Sequence, residues 1–158
     1  MKILLPIDGS ALSLNEVHCA LRLLRSGLKG ELLLVNVQAS ANLYEIFSQP
    51  DPTLREEVNQ AAGLQALEAA LALVRDAGVP CEWAVVTGSP ATVLLELIEQ
   101  HQCDLVVMGT HGAGPLRSTW EGSVAQDMLH LAPVPVLLVK PDAPDAEDLP
   151  ASDTDLAA

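Results

Sequence analysis

The sequence predicts an α/β fold: one domain on a five-stranded, parallel, doubly wound sheet in the order 3-2-1-4-5, with helices on both faces. Three observations predict it. Short apolar runs (KILLPI, ELLLVNV, CEWAVVT, DLVVM and VLLVK) alternate along the chain with longer segments whose apolar residues recur at three- and four-residue spacing. The runs are apolar almost throughout rather than alternating with polar residues, the habit of parallel strands covered on both sides. Gly, Asp and Ser gather just after the first and fourth runs, where open parallel sheets take their ligands.

Each element follows in order. Lys2–Ile7 reads as a buried strand that stops at Asp8-Gly9-Ser10, a turn sequence. From Ala11 to Ser26, Leu14, Val17, Leu21 and Leu24 lie on one face of a helix, with Gly27 placed for a left-handed cap. Glu31–Val37 is the second strand, and residues 38–52 form a longer loop carrying Tyr44 and Phe47. Thr53–Ala77, rich in Ala, Leu, Glu and Gln, predicts a long helix closed by Gly78 and weakened at Gly63. Cys81–Thr87 is the third strand. Ser89-Pro90 suits a helix N-cap and first turn, with that helix running to Gln102. Asp104–Met108 is the fourth strand, a last helix starts near Gly122, and Val136–Lys140 is the fifth strand. With right-handed crossovers this is a Rossmann-like arrangement.

A chain of 158 residues suffices for a full core without staples. No apolar run reaches membrane-span length, and the first residues form a strand pattern in place of a charged leader and apolar core, so the expected compartment is the cytoplasm. Formal net charge is −13. Residues 1–140 hold 15 acids against 8 bases, and residues 141–158 hold six acids and no base, which predicts an acidic, disordered, solubilising tail beyond a domain of residues 1–140. Such a balance repels phosphodiester backbones and anionic lipid, so neither nucleic acid nor membrane is an expected partner. Cys19, Cys81 and Cys103 form no CxxC pair and are read as structural thiols.

Two motifs carry chemistry. Pro6-Ile7-Asp8-Gly9-Ser10 puts a carboxylate at the sheet's mouth, where it suits either a magnesium ion and ligand hydroxyls or the turn's own backbone. The second motif is Gly109-x2-Gly112-x9-Gly122-Ser123. Gly109 ends a strand and lets a ligand approach bare backbone, while Gly122-Ser123 opens a helix whose free N–H groups favour an anion. A phosphate-bearing ligand satisfies both ends of this loop. The chain lacks the GxxxxGK[ST] lysine loop and has no GxGxxG after the first strand, so a divalent cation is needed to offset phosphate charge.

The glycine pattern, together with PIDGS, VVMGTHG and EGSVAQDMLHLAPVPVLLVK, resembles the nucleotide-binding signature of the universal stress protein family, ATP-binding branch, over residues 1–140. That resemblance implies ATP, or ADP or AMP, bound with Mg2+ or Mn2+. It places Asp8, after Pro6 and Ile7, near the ribose and the metal-bridged phosphates. Val37 matches the position whose backbone meets the adenine edge, and Met108 and Gly109 match the strand end beside the nucleotide. Gly112, Gly122, Ser123 and Val124 match the phosphate cradle. Ordinary core packing is the alternative role for Val37 and Val124.

The resulting expectation is an ATP-binding regulator or sensor. The alternatives are a slow ATPase at the same site or a nucleotide-free interaction module. Efficient hydrolysis is not expected: His111 is a candidate base but serves as easily as a hydrogen-bond donor, and Arg117, within reach of a terminal phosphate, is read as a solvated loop charge. A homodimer is expected through antiparallel pairing of residues 136–140, because an apolar edge strand invites pairing and the family resemblance implies it. A protein partner is not specified.

Overall fold

The computed structural model describes residues 1–40, 51–110 and 123–140. Its elements are β1 (Lys2–Pro6), α1 (Ala11–Arg25), β2 (Glu31–Gln38), α2 (Pro52–Asp76), β3 (Cys81–Thr87), α3 (Pro90–His101), β4 (Leu105–Gly109), α4 (Ser123–Leu131) and β5 (Val136–Val139). The strands form one parallel sheet in the order β3-β2-β1-β4-β5, as the alternating pattern predicted. Boundaries move by a residue or two. β2 runs one residue past Val37, and β4 begins after Asp104 and takes in Gly109. The acidic tail, Tyr44, Phe47 and most of the glycine loop lie outside the described residues.

Strand alternation sorts the core into two layers. Ile3 and Leu5 of β1, Ile7 just beyond it, Leu32 and Leu34 of β2 and Val107 of β4 pack with Val17 and Leu21 of α1 and Leu67 and Val74 of α2. Their neighbours Leu4, Leu33, Val35, Val106 and Met108 pack instead with Leu94 and Ile98 of α3 and Met128 of α4. The three central strands are therefore covered twice, which is why their sequences are apolar throughout. β3 departs from that expectation. It has a neighbour on one side only, and Glu82 and Trp83 are exposed.

Helix ends follow local chemistry. Ser10 caps α1, its hydroxyl accepting from Ser13 N–H at 3.2 Å, and Asp51 caps α2 by accepting from Thr53 N–H at 2.9 Å. Ser89 has the N-cap position of α3 but makes no side-chain cap bond. Gly63, the weak point of the predicted long helix, has a packing reason: α2 lies so close to the sheet that a Cβ there would stand 2.7 Å from Val85 Cγ2 and 3.0 Å from Asn36 Oδ1.

Charge is concentrated at the amino ends of the strands. Lys2 Nζ meets Glu31 Oε1 at 3.1 Å and Glu82 Oε2 at 3.0 Å, while Lys2 N–H donates to Asp104 Oδ2 at 2.7 Å. One residue thus ties together β1, β2, β3 and the approach to β4. The Lys2 ammonium holds the Glu82 carboxyl below its usual range.

Candidate functional site: the crevice between β1 and β4

At the carboxyl ends the ladder between the two central strands stops early. The β1–β4 register covers Ile3↔Leu105 and Leu4↔Val106, whereas β1–β2 pairing continues to Pro6↔Val35. Ile7 N–H donates to Val35 O at 2.7 Å, so by alternation the backbone edge of Pro6 faces β4. Proline has no N–H to offer there, and the ladder stops. On the far side of β1, Asn36 is buried within β2 and donates from Nδ2 to Ile7 O at 2.7 Å, turning that strand end toward β2. Strand order reverses at this point, where doubly wound sheets have their ligand crevice.

Asp8 stands at its rim, exposed. Ser10 N–H and Ser10 Oγ donate to Asp8 Oδ1 at 2.9 and 2.6 Å, so the turn role expected of this carboxylate is present. Gly9 adopts φ +82°, and a Cβ there would lie 3.0 Å from Ala66 Cβ. Both the left-handed backbone and the approach of α2 require glycine, and together they fix the turn that presents Asp8.

A second carboxyl lies beneath the rim. Glu16, on the inner face of α1 between Ser13 and Ala20, is 4 % exposed, and its Oε2 has no hydrogen-bond partner. Burial pushes its acid up to about 8. The Gly109 backbone N–H pulls the other way, and the nearby Asp8 charge adds to the rise. At neutral pH this carboxyl is mainly protonated. Sequence reading missed both Glu16 and Asn36. The signals were there, since Glu16 is the only acid from Ala11 to Arg25 and falls on the helix's apolar stripe, and Asn36 interrupts an apolar strand.

The residues marked by the sequence divide by location. Pro6 ends β1, and Ile7 and Asp8 follow it. Val37 lies in the last turn of the β2 pleat, half-buried and paired with Val86. Met108 and Gly109 end β4, both buried. α4 starts at Ser123, and Val124 packs against the second core layer. Gly112 and Gly122, with His111, Arg117 and Trp120, lie outside the described residues. Pro6, Ile7, Asp8, Met108 and Gly109 thus lie at the carboxyl ends of two neighbouring strands. Among the described residues no group of three or more His, Cys, Asp or Glu could hold a metal ion.

Other features have plainer roles. His18 and His130 are exposed on helices. Burial raises the Cys81 thiol and pushes Cys103 up to about 11, away from the reactive thiolate. A cleft of about 560 Å³ opens beside β5, lined in part by His18, Arg22, Arg25 and Lys140. Arg22 and Arg25 occupy the last turn of α1, where they complement the helix dipole. Among the described residues no helix is long and apolar enough to cross a membrane.

Comparison with known proteins places this architecture. The model of the universal stress protein family matches residues 1–140. A universal stress protein of Methanocaldococcus jannaschii is 30% identical over 139 residues, covering 88% of this chain and 81% of its own. A solved universal stress family protein of Burkholderia pseudomallei is 26% identical with a TM-score of 0.67, covering 87% of this chain and 94% of its own. A universal stress protein solved in complex with cAMP is 25% identical with a TM-score of 0.59, covering 88% of this chain and 95% of its own. With the family match spanning the whole sheet and both strands that frame the crevice, this chain belongs to the universal stress protein family.

Proposed function

We propose that this protein is an adenine-nucleotide-binding regulator, with ATP as the principal ligand and ADP or AMP as alternatives. The observation that carries the reading is the pair of neighbouring strand ends: β1 ends at Pro6 and β4 at Gly109, at the switch point of a doubly wound sheet. The glycine-spaced loop that follows Gly109 ends at the start of α4, whose free N–H groups suit phosphate oxygens. The 25%-identical relative solved with cAMP supports an adenine nucleotide as ligand. Val37 would face the base, and Gly112, Gly122, Ser123 and Val124 the phosphates.

The metal requirement follows from the donor set. One exposed carboxylate, Asp8, is too little to hold Mg2+ or Mn2+ by itself. The cation would therefore arrive with the phosphates, Asp8 supplying the protein-side oxygen. A regulator fits these residues better than a hydrolase, because turnover needs a base and charge neutralisation beyond what binding needs. Residues 136–140 of β5, the outer strand of the sheet, would pair with a second copy to form a homodimer.

Calorimetry with MgATP and mass spectrometry of the denatured, purified protein test the reading. Expected are measurable affinity or a copurified adenine nucleotide, and hydrolysis near background. Absence of both binding and copurified nucleotide would sink it. Turnover well above background, lost in His111→Ala, would replace the regulator with an enzyme.

A further inference from the structure

Bases are scarce in this chain, eight against 21 acids, and three of them meet at one place. The cleft of about 560 Å³ between α1 and β5 is lined by Arg22 and Arg25 of α1 and by Lys140 just beyond β5, with His18 alongside. None of the described residues lining it is acidic. Among the described residues neither arginine nor Lys140 has an ion pair, whereas Lys2 meets two carboxylates. The α1 dipole favours cations in its last turn, but Lys140 belongs to another part of the chain and gains nothing from it. Cations gathered without partners repel one another, so this lining suits an occupant with several carboxylates.

The chain carries such a segment, attached at the cleft itself. Residues 141–158 contain six acids and no base, and they follow Lys140 directly. Asp142 comes first, then Asp145, Glu147 and Asp148. Six extended residues span ~20 Å, and α1 rises by about 10 Å from His18 to Arg25. Residues 142–148 are therefore long enough to follow the whole basic wall. Exposed ion pairs are individually weak, but a tether gives the segment an effective concentration on the order of millimolar.

We propose that residues 141–158 dock back onto their own chain, the carboxylates of residues 142–148 pairing with Arg22, Arg25 and Lys140 in the cleft between α1 and β5. The docked segment competes with any other acidic ligand for those side chains, and added salt releases it by screening the pairs. This inference is independent of the nucleotide reading.

The test uses the full-length parent and a full-length variant carrying Asp142→Asn, Asp145→Asn, Glu147→Gln and Asp148→Asn. The reporters are the backbone amides of His18, Arg22 and Arg25, far in sequence from every substitution. Their NMR shifts should differ between the two proteins in about 20 mM NaCl and coincide in about 0.5 M NaCl. A synthetic peptide of residues 141–158 should move the same amides in the variant toward their parent positions. It should bind the parent about fivefold more weakly, because the cleft is already filled. Adding Arg22→Ser and Arg25→Ser to the variant should abolish peptide binding. Shifts that coincide at low salt, or equal peptide affinity for parent and variant, overturn the proposal. Inorganic phosphate binding the variant as tightly as the peptide also overturns it, since the cleft would then be a small-anion site. Labelled variant that regains the parent shifts on mixing with unlabelled parent overturns it too, by showing that the occupant belongs to a second copy.

Discussion

The side-chain amide of Asn36 donates to the carbonyl of Ile7 across 2.7 Å, at a site where Asn36 is 4 % exposed. A residue of β2 therefore satisfies the first backbone group beyond β1, just before the Asp8 turn. Asn36→Leu would leave that carbonyl unpaired in the interior. Expected is a loss of about 1–3 kcal/mol in urea unfolding. Asn36→Asp should cost more than Asn36→Leu at neutral pH, because a carboxylate then faces a carbonyl oxygen.

Gly63→Ala sets two effects against each other. Alanine raises helix propensity by about 1 kcal/mol, but its Cβ would meet Val85 Cγ2 at 2.7 Å and Asn36 Oδ1 at 3.0 Å. Overpacking typically costs about 1–3 kcal/mol, and both contacts belong to the sheet, so the clash should win. Denaturant midpoints should fall in Gly63→Ala and recover in part in Gly63→Ala/Val85→Ala, a non-additivity that assigns the loss to that contact.

Glu16 should make stability depend on pH in an unusual direction for an acid. Its folded value, about 8, stands above its ordinary 4.5. Between those values the unfolded chain sheds a proton that the folded chain retains, so stability falls as pH rises through the window. The contribution is complete below the lower value and gone above the upper one. Tm measured from pH 5 to 9 should therefore decline less in Glu16→Gln than in the parent. Parallel profiles would refute a buried, proton-retaining Glu16.

Leu137, 37 % exposed on the outer strand, tests the proposed dimer. Leu137→Lys places like charges near each other across a two-fold interface and gives the edge a charge that discourages pairing. Sedimentation should show dimer for the parent and monomer for the variant at tens of micromolar. A parent that sediments as monomer removes the dimer.

What was legible in the sequence follows from what sequence patterns encode. The sheet order and both helical layers were readable because a strand buried on two faces must be apolar throughout, and Ile3–Leu5 and Leu32–Val35 are. The neighbourhoods of Pro6 and Gly109 were readable as strand ends because chain-breaking residues mark them. Glu16 and Asn36 were not, since a single polar residue in an apolar frame shows its partner only once distant segments meet: Asn36 and Ile7 are 29 residues apart. Trp83 was misleading for a related reason. Its run reads as interior although the predicted order already put β3 at an edge, where Trp83 is exposed. Gly63 looked like a flaw in a helix because nothing nearby in the chain announces Val85.

The ionic knot at Lys2 lies at the opposite pole of the sheet from Asp8 and Gly109. Architecture and recognition are thereby segregated: what fastens four strands together shares no side chain with the described residues lining the mouth. A substitution at the exposed Asp8 would leave that ionic foundation untouched.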